Sequence, residues 1–229
     1  SYAEFIELID LAVTQVPSKG ASVIEVQTPT TIEGLAMLLA IGETGHIALP
    51  LPAELPITEQ NKRRLIAKSS QLYNQLEGSG LVLFSSGTSG EPKGMLHNLD
   101  ALLNRYKNLS ARKDRSLLLL LIDHVGGLDS ALRCLFSGST LVVPETRSPE
   151  AAGQAIASHQ VSVLPASPTF LNLMLLSGIA QEHDLSTVEI VAYGAESMPQ
   201  KVLSRLRKAF PNAQLQQKFG TSETGAIRI

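Results

Sequence analysis

The chain has 229 residues, of which 44% are hydrophobic and 17% charged, and this composition excludes an intrinsically disordered chain, which combines low hydrophobicity with high net charge. A net charge of −2 and a longest apolar run of seven residues, at 35–41, predict neither a nucleic-acid partner nor a membrane span, which needs about 20 apolar residues. The single cysteine, Cys134, excludes an internal disulfide and favours a cytoplasmic location.

In the first part of the chain, segments with helical spacing of apolar residues alternate with short β-branched segments. The pattern predicts helices at 2–13, 30–41 and 58–76, and strands at 22–26, 47–49 and 81–84. A loop rich in glycine and hydroxyl side chains follows up to Gly94, and the next helix is predicted at 97–109.

The second part alternates more regularly. The apolar segment 116–122 is typical of a parallel strand that helices cover on both faces. Further strands are predicted at 140–143, 161–164, 188–193 and 214–219, and helices at 128–136, 148–158, 168–176 and 199–210. The alternation predicts an α/β fold with a layered, mostly parallel β-sheet flanked by helices. We predict two domains, at 1–112 and 113–229.

The loop after the third predicted strand carries the strongest chemical signal, Phe-Ser-Ser-Gly-Thr-Ser-Gly-Glu-Pro-Lys-Gly at 84–94. Its glycines let the backbone curl so that N–H groups converge on an anion, and Lys93 adds a positive charge. It is not a Walker A loop, because Pro92 stands where that motif has its second glycine. The residues predict a polyphosphate-binding loop, with a plain surface turn as the alternative.

This loop resembles the phosphate-loop signature of the adenylate-forming superfamily, which includes acyl-CoA synthetases and the adenylation domains of peptide synthetases. Three further segments match in the same order, and together the matches cover 81–229. They are Asp123-His124-Val125-Gly126-Gly127, Tyr193-Gly194-Ala195-Glu196 and Phe219-Gly220-Thr221-Ser222-Glu223-Thr224-Gly225. The resemblance implies the core of the N-terminal domain of this fold, closest in pattern to acyl-CoA ligases.

The resemblance also implies a two-step reaction. A carboxylic acid, fatty or aryl, attacks the α-phosphate of ATP to give an acyl-adenylate and pyrophosphate. The thiol of coenzyme A or of phosphopantetheine then takes the acyl group, and an acyl carrier protein is a partner in the second case. The implied catalytic residues are Thr221, Glu223, Lys93 and His124, with Glu223 as the ligand of Mg²⁺.

The nucleotide contacts follow from the same resemblance. The implied phosphate-loop residues are Ser85, Ser86, Gly87, Thr88, Ser89, Gly90 and Lys93. Around the adenine and the α-phosphate, the implied residues are Gly194, Ala195, Glu196, Gln217, Phe219, Gly220 and Thr221. His124 is expected to act as a gate beside the incoming carboxylate.

The helix after His124 is expected to form one wall of the acyl pocket. Its small residues are Gly126, Gly127, Ser130 and Ala131, and its apolar residues are Leu128, Leu132 and Leu135. We therefore expect an aliphatic or aryl acid rather than a charged one. Amino-acid activation stays open as an alternative. Peptide-synthetase domains hold the amine of their substrate with an aspartate near this position, although Asp123 lies two residues too far back.

The sequence begins at Ser1 and ends at Ile229, six residues after Glu223. Members of the superfamily continue with a ribose-binding aspartate, a hinge and a mobile C-terminal domain that carries a catalytic lysine. We therefore expect a truncated core that binds ATP weakly and forms adenylate poorly. Two alternatives of other classes are a non-catalytic module that binds a nucleotide or an acyl group and an unrelated phosphate-binding protein such as a kinase.

Overall fold

The computed structural model describes residues 1–18, 22–27, 30–51, 58–73, 78–85, 93–221 and 225–227. The contacts within it form two compact units. The first contains Ser1–Lys107 and Ile122–His124, and the second contains Asn108–Leu121 and Val125–Ile229. These units are groups of mutual contacts, and the domain division after residue 112 stays a prediction.

The first unit alternates helices with strands in its described part. The helices are α1 (Tyr2–Gln15), α2 (Ile32–Glu43), α3 (Glu59–Tyr73) and α4 (Leu99–Asn104). The strands are β1 (Val23–Gln27), β2 (Ile47–Leu51), β3 (Gly80–Ser85) and β4 (Lys93–Asn98). They form a sheet in the order β1-β2-β3-β4, in which β1, β2 and β3 run parallel and β4 pairs antiparallel with β3.

Local sequence explains where the main helix of this unit begins and what it buries. Thr31 caps α2, because its Oγ1 accepts a hydrogen bond from the backbone N–H of Gly34 at 3.2 Å. Leu35 and Ile41 of α2 are fully buried. A separate apolar cluster joins β2 to β3, through residues such as Leu49 and Phe84, so both faces of these strands avoid water.

The second unit contains the larger sheet. Its strands are β5 (Arg115–Leu117), β6 (Thr140–Val142), β7 (Val163–Ala166), β8 (Ile190–Gly194), β9 (Gln214–Thr221) and β10 (Gly225–Ile227). Its helices are α5 (Val125–Phe136), α6 (Pro149–His159), α7 (Pro168–Ser177), α8 (Ile179–Glu182) and α9 (Gln200–Ala209). The sheet order is β10-β9-β8-β7-β5-β6, and all neighbours are parallel except β9 and β10.

Alternate residues of the central strands point to opposite faces of this sheet, as the two-residue period of a β-strand requires. Leu164 of β7 and Val191 of β8 are fully buried in the main apolar core, together with residues of α6, α7 and α9. The intervening residues of the same strands, such as Val163 and Ile190, line a cavity. One face therefore builds the core and the other lines the cavity.

The mostly parallel α/β architecture predicted from the sequence is confirmed, and the differences are local. The glycine-rich loop was predicted to lead to a helix at 97–109. A strand, β4, follows the loop instead, and the helix begins only at Leu99. The predicted strand 116–122 shortens to β5, because the chain turns before α5. The short elements α8 and β10 were not predicted.

In the ranges that the structure describes, none of the helices is both long enough and apolar enough to cross a lipid bilayer.

Two adjacent glycines at the start of α5 provide a matched test of packing. A Cβ atom on Gly127 would lie 2.0 Å from the carbonyl oxygen of Leu121, whereas one on Gly126 would meet nothing closer than a Leu120 methyl at 3.7 Å. We expect Gly127→Ala to lower the free energy of unfolding by about 1–3 kcal/mol through overpacking. Gly126→Ala should leave it unchanged or raise it slightly, in urea titrations followed by circular dichroism. Equal effects of the two changes would contradict this packing.

Candidate functional site

Two neighbouring parallel strands bring together two of the motifs singled out in the sequence. β8 and β9 pair in register from Ile190 opposite Gln214 to Gly194 opposite Lys218. Their carboxyl ends therefore meet at one edge of the sheet. Ala195 and Glu196 come directly after β8, and Phe219 comes directly after the last paired residue of β9. In open α/β sheets, ligands bind at this carboxyl edge.

The turn after β8 needs its glycine because the two strands approach closely there. A Cβ atom on Gly194 would lie 2.5 Å from the carbonyl oxygen of Lys218. Ala195 then adopts a left-handed conformation with φ of 66°, which is uncommon for a residue with a side chain and costs about 1–3 kcal/mol unless the surroundings hold it. Such strain is typical of ligand-binding turns.

Glu196 is held by the helix that follows β7. Its Oε2 accepts hydrogen bonds from the backbone N–H of Thr169 at 3.2 Å and from Oγ1 of Thr169 at 2.5 Å. Thr169 lies in the first turn of α7, where unpaired N–H groups and the helix dipole favour a negative charge. The carboxylate thus anchors the turn to α7, a contact that the sequence alone did not suggest. The predicted role of Glu196 beside adenine stays a prediction.

The last motif lies on a hairpin. β9 and β10 pair antiparallel, with Phe219 opposite Ile227 and Thr221 opposite Gly225. Residues 222–224, and with them the predicted Mg²⁺ ligand Glu223, lie outside the described residues, as does the side chain of Thr221. The structure describes only the two strands that lead into and out of this segment.

The predicted phosphate loop also lies between two antiparallel strands. β3 and β4 pair with Ser85 opposite Lys93. The intervening residues, which include the predicted ligands Ser86, Gly87, Thr88, Ser89 and Gly90, lie outside the described residues, as do the side chains of Ser85 and Lys93. The loop belongs to the first unit and the 219–225 motif to the second, so their joint action on one nucleotide stays a prediction.

His124 belongs to the first unit, where it is half-buried and follows the buried Asp123. Its predicted role as a gate stays a prediction.

The second unit contains a cavity of about 560 Å³. The apolar part of its sheet wall comes from alternate residues of two central strands, Val163 and Pro165 of β7 and Ile190 and Ala192 of β8. Gln216, Gln217, Lys218 and Phe219 of β9 also line it, so the cavity has a polar side on β9 and reaches the start of the motif at 219–225. A cavity of this size suits a small organic ligand. Phe219 is 50% exposed, which suits a ring available to a ligand better than a core residue.

The helix wall of the cavity differs from the one expected. α5 contributes Asp129, Ser130, Arg133 and Cys134, followed by Ser137 just after the helix. Leu128 and Leu132, predicted to supply apolar area to the pocket, are buried and do not line it. The spacing of Asp129, Arg133 and Ser137, four residues apart, marks one helical face, and this was the signal that could have identified the polar wall.

Two ion pairs neutralise much of the charge on the cavity wall. Nε of Arg112 donates to Oδ2 of Asp114 at 2.5 Å, and this hydrogen bond raises the pKa of the arginine above its ordinary value. Nη2 of Arg133 lies 3.4 Å from Oδ1 of Asp129 on the same helix. The wall is therefore strongly polar, while its arginines already have acidic partners.

Cys134 faces the same cavity as a neutral thiol. Burial, followed by the negative charge of Asp114, raises the pKa of this thiol from 9.0 to about 12. The thiolate is the nucleophilic form of cysteine, so Cys134 is inert at neutral pH.

Comparisons with known proteins agree on one family. The model of the family described as AMP-binding enzyme matches residues 73–228. A 4-coumarate–CoA ligase-like protein of Oryza sativa subsp. japonica is 30% identical over 183 residues, which are 72% of this chain and 34% of that protein. The indoleacetate–CoA ligase of Aromatoleum aromaticum is 29% identical over 154 residues, 64% of this chain and 30% of that enzyme. The chain thus spans about one third of the length of these relatives.

Solved structures share the fold at low sequence identity. The N-terminal domain of FACL13 from Mycobacterium tuberculosis superposes with a TM-score of 0.77 at 16% identity, over 97% of this chain and 69% of that one. The O-succinylbenzoate coenzyme A synthetase of Bacillus subtilis, in complex with AMP, gives a TM-score of 0.70 at 18% identity, over 97% and 68% of the two chains.

A double-mutant cycle tests the anchor between Glu196 and α7. We expect Thr169→Val and Glu196→Gln each to lower the free energy of unfolding by about 1 kcal/mol, because each weakens a charge-assisted hydrogen bond. The double variant should lose less than the sum, since both changes remove the same contact. Thr140→Val, at an exposed strand position, serves as the control. Fully additive losses in urea unfolding would show that the contact carries no energy.

The raised pKa of the Cys134 thiol predicts that the stability of the fold depends on pH. Because the folded pKa of Cys134 is raised, the unfolded chain releases its proton first as the pH rises above 9.0, and the free energy of unfolding falls until about pH 12. The thiol contributes a loss of up to about 1.4 kcal/mol per pH unit in this window and none below it. Urea unfolding at several alkaline pH values should therefore show a steeper decline for the parent chain than for Cys134→Ala. Parallel declines would refute the assignment.

Proposed function

Since the chain belongs to the AMP-binding enzyme family, we propose that it supplies the nucleotide- and acid-binding part of an enzyme that activates a carboxylic acid with ATP. The observation that carries this proposal is the shared edge of β8 and β9. Their two motifs lie side by side there, and the cavity reaches the same strands. A nucleotide at the edge and an acid in the cavity would bind to adjacent parts of one unit.

The proposed first step forms a mixed anhydride. A carboxylate oxygen of the acid attacks the α-phosphorus of ATP, the bond to the β-phosphate breaks, and pyrophosphate leaves with the electron pair. Such reactions depend on positioning and on neutralising charge rather than on covalent chemistry by the protein. Lys93 and the hydroxyls of 85–89 are proposed to hold the departing phosphates, and Thr221 the α-phosphate.

Glu223 is proposed to hold Mg²⁺, a hard cation that binds carboxylate and phosphate oxygens. The cation would offset the negative charge of the triphosphate. His124 is proposed to gate the entry of the acid.

In the proposed second step, a thiol attacks the acyl carbon, a thioester forms and AMP leaves. The relatives are named as CoA ligases, and this supports coenzyme A as the acceptor over a carrier-bound phosphopantetheine. The same names specify 4-coumarate and indoleacetate, which are aryl acids, and they support an aryl over a fatty acid for this chain. We place the reaction in the cytoplasm, as the single cysteine suggests.

ATP–pyrophosphate exchange in the full-length protein tests the proposal. Lys93→Ala and Glu223→Ala are each expected to lower acid-dependent exchange by about a hundredfold or more, because each removes a charge that offsets the triphosphate. Lys208→Ala and Glu7→Ala, which remove exposed charges of the same type outside the motifs, should leave the rate unchanged.

Two outcomes would contradict the proposal. Full exchange in both loop variants would remove Lys93 and Glu223 from the site. Tight binding of nucleotide without exchange, for every acid tested, would favour the non-catalytic module instead.

A further inference from the structure

Three side chains that commonly ligate metals come together on the second unit, outside the four motifs. They are Glu150 in the first turn of α6, Glu182 at the end of α8 and His183 directly after it. One ring nitrogen of the histidine and one oxygen of each carboxylate lie within 4.8 Å of one another. These three residues do not line the cavity, so the proposed chemistry of nucleotide and acid leaves the cluster unexplained.

The histidine of this cluster is held in place by packing. Only 19% of the side chain of His183 is exposed. A Cβ atom on Gly153 of α6 would lie 2.8 Å from its Cδ2, so the glycine makes room for the ring. Nε2 of His183 lies 2.7 Å from Oε1 of Glu150, which is three residues before Gly153 and therefore on the same face of α6. Asp184 does not join them, because its Oδ1 accepts a hydrogen bond from the N–H of Ser186 at 2.9 Å.

The two carboxylates of the cluster lack a permanent positive charge beside them. Of the residues that the structure describes, His183 is the ion-pair partner of Glu150, and Glu182 forms no ion pair. An imidazole carries charge only when it is protonated. Two carboxylates placed this close together repel each other. A divalent cation between them would offset both charges.

The donor atoms favour zinc. An imidazole nitrogen with carboxylate oxygens suits Zn²⁺, which often takes three protein ligands and one water molecule, whereas Mg²⁺ prefers oxygen ligands alone. Zinc lies about 2.0–2.2 Å from such ligands, which places neighbouring ligand atoms about 3.3 Å apart. Because Glu150 and Glu182 are exposed, rotation of their side chains can bring their oxygens to this spacing. The imidazole would bind through Nε2 in its neutral form, with the proton on Nδ1.

We propose that Glu150, Glu182 and His183 form a zinc site that joins the start of α6 to the end of α8, with water as the fourth ligand. Only the folded chain brings these three residues together, so bound zinc stabilises the folded state. The site does not rest on the proposed function, since none of its residues belongs to the motifs or to the cavity.

Calorimetric titration of the untagged full-length protein with Zn²⁺ and with Mg²⁺ tests the proposal. We expect the cluster to bind one zinc ion, at least about tenfold more tightly than magnesium. His183→Ala, Glu150→Gln and Glu182→Gln should each weaken zinc binding by at least about tenfold, because each removes a ligand. Changes to residues that merely orient a metal ligand already cost about 10–100-fold in affinity.

Two variants serve as matched controls. His159→Ala, in the last turn of α6, and Glu7→Gln, on α1, remove exposed side chains of the same types outside the cluster, and they should leave zinc binding unchanged. Glu182→Gln is the decisive variant, because it leaves the contact between His183 and Glu150 intact and removes only the third ligand.

Thermal unfolding provides a second measurement that does not depend on activity. Saturating Zn²⁺ should raise the unfolding midpoint of the parent protein by at least about 4 °C and should raise that of Glu182→Gln much less. The absence of saturable zinc binding would overturn the proposal. So would an unchanged affinity in Glu182→Gln, or an equal loss of affinity in the control variants, since zinc would then bind elsewhere. Acid-dependent exchange is measured separately, so the proposed function stands or falls independently of this site.

Discussion

The parallel pairing of β8 with β9 is the interaction on which the described site depends. Their register brings the ends of two motifs to one edge, and the absence of a side chain at Gly194 allows the close approach to the backbone of Lys218. Because side chains alternate along a strand, the same pairing commits one face of the sheet to the core and leaves the other for the cavity. The left-handed Ala195 and the anchor between Glu196 and Thr169 follow from the position of this turn.

α5 has one apolar face that packs in the core and one polar face that lines the cavity. Leu128 and Leu132 are buried on one side, and Asp129 and Arg133 face the cavity on the other. Gly127 allows the start of the helix to lie against the backbone of Leu121. The helix therefore works both as a packing element and as a polar wall of the cavity.

Both glycine- and hydroxyl-rich motifs lie between paired antiparallel strands. β3 and β4 lead into and out of 86–92, and β9 and β10 lead into and out of 222–224. A hairpin fixes the two ends of a loop through backbone hydrogen bonds, whatever the side chains within it. This arrangement would suit the phosphate-binding role that we propose for the two loops.

The sequence by itself determined the α/β class, most of the helices and strands, and the family, because periodicity and the order of residues in the motifs are local properties of the chain. Ser167 and Pro168, for example, specify the start of α7 through a cap and a fixed φ. Only the tertiary structure decided which face of α5 meets the cavity, that Glu196 anchors to α7, and that the thiol of Cys134 is held neutral. These outcomes depend on which distant segments pack together, and spacing along one helix or one strand cannot specify its neighbours.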